Sequence, residues 1–236
     1  MVGYQAAVGQ GYHQDIPLLS TAVTVVDSAR NIGVFIDSQL SMDVHVVAVC
    51  RSGYYHLRQL RSLTRSLSSA AAKTVVHAFI ASGLDYCNAL LDGVSDKSVR
   101  RLQSVQNAAA RLVTGARRCE HITPILRQLH WLPVRQRVLF KIPVLVFQCL
   151  AGQAPSYLSD DCQPVSDSRP RRLQSSDSLT CVVRRAHNTY GDRCFATAGP
   201  WVWNSLPAEL QQCDSLMQFK RCLKTFLFGS WDYGAL

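Results

Sequence analysis

The hydrophobic positions change period several times along the chain. Two β-branched runs, Val23 to Val26 and Ile32 to Ile36, flank the polar segment Asp27-Ser-Ala-Arg-Asn31, which predicts a β-hairpin turning at 27–31. From Ser41 to Leu63 the period becomes helical, with Val46, Val47, Cys50, Tyr54 and Leu57 as the inward stripe and Arg51 and Arg58 at its flanks. Ser68 or Ser69 suits an N-cap for the Ala-rich stretch AAAKTVVHAFIASGL, because a hydroxyl there can accept a free first-turn amide. The clearest pattern lies between Asp96 and Val113. Leu102, Val105, Ala109, Leu112 and Val113 share one helix face, and Arg100, Ser104, Asn107 and Arg111 fall opposite. Ser95 suits its N-cap and Gly115 its C′ position.

Further on, Thr123-Pro124 reads as a cap followed by a first-turn proline, opening a short helix. Pro133 repeats the device before VRQRVLFKIPVLVFQCL, a helix apolar nearly all round with Arg137, Lys141 and Gln148 as its narrow polar stripe. Pro143 removes an amide from that helix and should kink it, at about 3 kcal/mol where nothing compensates. Beyond Gly152 the segment DSRPRRLQSSDS is a polar linker, LTCVVRR a weak strand, GDRCFATAGPWVWNSLP a Gly/Pro-broken aromatic segment, and SLMQFKRCLKTFLF an amphipathic helix. In that last helix Leu216, Phe219, Leu223 and Phe226 are expected inward, with Lys220, Arg221 and Lys224 outward. The expected fold is mainly α: a poorly ordered stretch over 1–20, a short N-terminal β-hairpin and helical bundle over 21–162, a linker over 163–178, and a small irregular α/β unit over 179–236.

Charge changes the picture more than composition does. The chain carries +9, and residues 95–150 hold ten Lys/Arg against two Asp/Glu, so +8 of that excess sits in one stretch. A concentrated excess makes a local positive field that favours phosphate. The candidate phosphate contacts are Arg100, Arg111, Arg117, Arg118, Arg137 and Lys141, with RNA or DNA as the partner; the competing expectation is an ordinary solvated helix face. His130 and Trp131 are read as a corner plug before Pro133 rather than a base-stacking platform, and Trp201 and Trp203 as core anchors. Cys119 and His121 lack a third orienting group for nucleophilic catalysis.

Nine cysteines without C-x-x-C or zinc-knuckle spacing give no metal site, and no cofactor is expected. The start MVGYQAAVGQGYHQDIP has neither a basic region nor an apolar core, so the expectation is no secretory signal, reduced thiols and an intracellular place in nucleus or cytoplasm. The apolar run Ile142 to Phe147 is far below the roughly 18 residues of a membrane span.

Several segments occur together in one order: NIGVFIDSQLSMDVHV (31–46), LDYCNALLDG (84–93), LQSVQNAAARLVTGARR (102–118), HITPILRQLHWLPVRQRVLFKI (121–142), GQAPSYLSD (152–160) and GPWVWNSLP…SLMQFKRCLKTFLF (199–228). That order resembles the C-terminal part of the reverse transcriptase of non-LTR retrotransposons, the long interspersed elements of jockey-like and chicken-repeat kind. The resemblance spans residues 30 to 228. It implies a thumb-like helical region and a downstream segment that grip template and primer. The family's polymerase chemistry needs an aromatic-Ala-Asp-Asp motif and an earlier Asp holding two metals. Here the one Asp-Asp is Asp160-Asp161 in YLSDDCQP, beyond the thumb-like helices, and Asp85 stands alone in a different motif. The resemblance therefore implies polymerase ancestry without polymerase activity: a truncated remnant, not an enzyme by itself, with residual nucleic-acid binding. The other expectation is a helical protein with no nucleic-acid role. Two features depart from the family pattern: the first twenty or so residues, and Pro143 at a position usually compatible with helix.

Overall fold

The computed structural model describes residues 15–18, 21–64, 66–165, 179–184 and 189–231. It is mainly helical with short antiparallel strands at its N-terminal side. The chain divides into two compact units, Met1–His45 and Val46–Leu236.

In the first unit β1 (Asp15–Leu18) pairs with β2 (Thr21–Thr24), and β3 (Ser28–Asn31) with β4 (Val34–Asp37), both antiparallel. The expected pairing of 23–26 with 32–36 is replaced. Residues 28–31 of the expected turn are strand, and the chain reverses at Ile32-Gly33 with φ of 45° and 82°. A two-residue turn with both φ positive matches the twist of its strands, so the glycine draws the turn to itself. Asp15–Leu18 of the expected disordered start is strand β1. After β4, Asp37 organises the entry to the first helix. Its carboxylate accepts from the amides of Gln39 (3.1 Å), Ser41 (2.8 Å) and Met42 (2.9 Å) and from the Ser41 hydroxyl (3.1 Å). Burial pushes that carboxyl up, but these bonds together outweigh burial and hold it below the ordinary carboxylate value.

The second unit is built on helices. α1 (Asp43–Leu63) buries Val46, Gly53, Leu57 and Leu60, an i, i+3/i+4 line; Val47 and Tyr54, expected inward, are exposed. α2 (Ser69–Val76) is capped by the Ser68 hydroxyl, which accepts from the Ala71 amide, and continues through a π turn (His77–Ala81) into α3 (Ser82–Asp85). A 3-10 turn (Asn88–Leu91) leads to α4 (Asp96–Thr114), whose Ser95 cap and Gly115 terminus at φ 70° stand where the pattern put them. α5 (Ile122–Gln128) has its N-cap at His121 rather than Thr123, placing Pro124 in the first turn, where a missing amide costs no helix bond. α6 (Val134–Leu150) runs unbroken through the buried Pro143.

α7 (Ser156–Ser159) and α8 (Thr189–Asp192) are single turns. α9 (Phe195–Asn204) overturns the expected Gly/Pro-broken segment: the helix contains both Gly199 and Pro200. A Cβ at Gly199 would stand 3.3 Å from Val146 Cγ2 of α6, so the glycine permits close helix packing that offsets its poor propensity. α10 (Ala208–Gln211) and α11 (Leu216–Ser230) finish the described chain. In α11 Phe219, Leu223 and Leu227 are buried, and Phe226, expected inward, is exposed. Among the described residues 179–184 of LTCVVRR there is no named strand. Cys181 bridges Pro164 through the Val165 amide to the Thr180 carbonyl and the Val182 amide to the Gln163 carbonyl, both 2.9 Å. Reciprocal 2.8 Å bonds with the Asn204 side-chain amide tie Cys181 to α9.

α9 and α11 do not stand apart from the bundle. Phe147 of α6 stacks on Phe219 of α11 at 4.8 Å, and Trp203 of α9 lies 5.6 Å from Phe219. Trp203 is fully buried and donates its indole N–H to the Leu179 carbonyl at 2.6 Å, whereas Trp201 is 63% exposed, so one of the two expected anchors is an anchor. Of the expected linker, 166–178 lies outside the described residues.

α1 approaches α4 closely at Gly53. A Cβ built on Gly53 would meet Val105 Cγ1 at 2.6 Å, and Val105 is fully buried. Gly53→Ala should therefore lower stability by about 1–2 kcal/mol in chemical denaturation, the cost of overpacking exceeding the gain in helix propensity. A second change, Val105→Ala, should recover most of that penalty in a double-mutant cycle. A stabilised Gly53→Ala protein would contradict the contact.

Candidate nucleic-acid interface

From the Gly53–Val105 contact, the C-terminal halves of α1 and α4 flank a groove of about 970 Å³. Tyr54, Arg58 and Arg61 line it from α1, at the i, i+4, i+7 spacing that keeps side chains on one face, and Thr64 lines it just past the helix end. Ser104, Asn107 and Arg111 line it from α4, and Arg118 from the segment that follows. Ala108, Gly115 and Ala116 are the small residues among its walls. Among the described residues four guanidinium groups border this space and no carboxylate does. The C-terminal ends of α1 and α4 each contribute about half an elementary negative charge. Four permanent positive charges outweigh that, so the groove keeps a net positive field.

The sequence-predicted residues separate into three sets. Arg111 and Arg118 reach the groove. Arg111 donates from Nη2 to the Glu120 carbonyl at 3.2 Å, which fixes the loop after α4, and its Nε is buried without a partner. Arg100 and Arg117 are exposed outside the groove lining; the Arg117 amide donates to the Glu120 carboxylate at 2.6 Å. Arg137 and Lys141 lie elsewhere, on a second pocket of about 490 Å³ that shares no lining residue with the first.

Arg137 is not a surface cation. Its side chain is 15% exposed and donates from Nη2 to Asp85 Oδ2 at 2.9 Å, an ion pair spanning 52 residues of sequence. Burial pushes the Asp85 carboxyl above the ordinary carboxylate value, with Arg137, His77 and Lys141 pulling it back only in part. Burial likewise lowers Arg137, with Asp85 opposing. Geometry says paired ions, while both pKa directions say that desolvation exceeds the pairing gain; a short bond carrying a net desolvation cost satisfies both.

Sequence reasoning missed Tyr54, Arg58 and Arg61 as groove residues. Their common spacing on α1 was visible; what the pattern could not reveal was which helix lies beside them. Trp131 is buried at 7% exposure and His130 is exposed with φ 56°, which makes Trp131 a plug unable to stack on a base. Cys119 and His121 are both exposed, and all nine cysteines are free thiols. Cys149, Cys162 and Cys181 lie in the aromatic core, where burial pushes the thiols up, that of Cys181 to about 11. Among the described residues no group of three or more His, Cys, Asp or Glu could hold a metal ion, and no helix is long and apolar enough to cross a membrane. Comparison of the chain with family models, with curated proteins and with solved structures returns no match.

The Asp85–Arg137 pair gives a pH prediction. A carboxyl whose folded pKa is raised favours the fold below its unfolded pKa and loses that contribution as pH climbs through the folded value. Arg137→Ala removes the largest opposing charge, so the Asp85 pKa in an NMR titration should rise further. The variant should also be destabilised more at pH 7 than at pH 4, by about 1–3 kcal/mol at pH 7, less than for a fully buried pair because the Asp85 side chain is 40% exposed. Equal destabilisation at both pH values would refute the coupling.

Proposed function

We propose that the chain is a nucleic-acid-backbone-binding remnant of a non-LTR retrotransposon reverse transcriptase, without nucleotidyl transfer of its own. The observation that carries the binding is the α1/α4 groove, bordered among the described residues by Arg58, Arg61, Arg111 and Arg118 and by no carboxylate. Arginine matches phosphate in a bidentate fork and is more weakly hydrated than lysine, so four of them along one groove suit a polyanion. Tyr54, 44% exposed at the groove, offers a ring face to an unpaired base. The family origin rests on the six ordered segments of the sequence. Catalytic inactivity rests on the acidic residues: the Asp160-Asp161 pair closes α7, with Asp161 3.3 Å from Arg184, and Asp85 is committed to Arg137.

Fluorescence anisotropy with labelled single-stranded RNA across a salt series tests the binding. Each lost phosphate contact should flatten the salt slope by about 0.7, so Arg58→Ala, Arg61→Ala and Arg118→Ala together should flatten it by about 2. Tyr54→Ala should weaken single-stranded RNA by about 1–3 kcal/mol and leave a duplex nearly unaffected. A flat salt response in the parent chain, or an unchanged slope in the triple variant, would favour a helical protein with no nucleic-acid role.

A further inference from the structure

The second pocket gathers basic side chains from elements far apart in sequence. Lys73 comes from α2, His77 from the π turn, Arg137 and Lys141 from α6, and Lys224 from α11. Among the described residues Asp85 is the sole carboxylate in the lining, so with both histidines neutral four cations face one anion, a formal +3. At about 490 Å³ the space is within the usual range of small-ligand sites.

Two further observations separate this arrangement from a solvated charge patch. Arg137 gives Nη2 to Asp85, but its Nη1 is buried and has no partner. A guanidinium N–H left over in a mostly buried position is a ready donor for an anionic oxygen. Asn88, 4% exposed in the same lining, likewise has an unpartnered Oδ1, an acceptor for a ligand hydroxyl. The cations also crowd one another. Burial, and then the charges of Arg137 and Lys73, depress the Lys224 ammonium. Like charges that exceed the one carboxylate beside them raise the free energy of the unliganded pocket, and a multivalent anion relieves that repulsion.

We infer that this pocket binds a small polyphosphate, free or carried on a nucleoside, with Lys73, Lys141 and Lys224 around the phosphates and Arg137 Nη1 donating from the wall. A di- or triphosphate group carries the charge that a +3 pocket calls for, and a single sulfate carries less. Leu129, Trp131, Leu132 and Phe140 form the apolar part of the lining among the described residues. The site shares no residue with the α1/α4 groove, so it stands whether or not that groove binds nucleic acid.

Isothermal titration of the full chain with inorganic pyrophosphate at constant ionic strength, with ADP and sulfate as parallel titrants, tests the proposal. Saturable one-site binding is expected, with sulfate at least tenfold weaker. Lys73→Ala with Lys141→Ala, both at exposed positions that leave the core intact, should weaken pyrophosphate at least tenfold. The groove variant Arg58→Ala with Arg61→Ala and Arg118→Ala should bind it like the parent. ADP tighter than pyrophosphate would place a nucleoside in the pocket, and equal affinities would show that phosphate alone is held; both support the site. Absence of saturable binding, or equal weakening by the two sets of variants, would overturn it.

Discussion

Two glutamines on α4 join the helix to the corner that begins α6. Gln106, 1% exposed, donates from Nε2 to the Leu132 carbonyl at 2.8 Å, and its Oε1 accepts from Gln103 Nε2 at 2.9 Å. Gln103 Oε1 in turn accepts the Val134 amide at 2.9 Å. The corner needs this. Pro133 has no N–H to offer, His130 is held at φ 56°, and Leu132 and Val134 bring main-chain polar groups to the edge of the core. An orphaned carbonyl or amide there would cost about 1–3 kcal/mol. With both satisfied, Trp131 and Leu132 can be buried and α6 leaves the corner in a defined direction.

The two basic sites follow from that geometry. α6 is the helix against which α9 and α11 pack, through Phe147, Trp203 and Phe219. Its direction places Arg137 over Asp85 and Lys141 near Lys73 and Lys224. α4 also presses against α1 at Gly53, where the absence of a side chain sets how closely the helices approach. Arg111 and Arg118, which share the basic stretch with Arg137 and Lys141, therefore reach a different cavity. One contiguous run of charge in the sequence becomes two separate sites in space.

What the sequence made legible was local. The Ser68 and Ser95 caps, the Gly115 terminus and the α4 stripe each depend on residues within a few positions of one another, so pattern and capping chemistry suffice. The mainly helical class followed from the same signals. The failures share a different origin. The Ile32-Gly33 turn won over a more polar segment because positive φ at a glycine counted for more than composition. α9 runs through Pro200 because its packing on α6 supports what propensity opposes. Arg137 belonged to a polar stripe that looked like an exit to water, and only the fold brings Asp85 to it from 52 residues away. Tyr54 looked apolar and inward, yet Gly53 beside it takes the contact face of α1.

The central claim is that the basic stretch is split into two sites, of which the α1/α4 groove takes a nucleic-acid backbone. Residue-resolved NMR mapping of amide shifts, on adding a short single-stranded RNA with a 5′-hydroxyl end at low salt, tests it most directly. The account predicts perturbations along 54–64 and 104–118, with the amides around Arg137 and Lys141 unmoved. Shifts spread evenly over every basic position, or centred on Arg137 and Lys141, would contradict it.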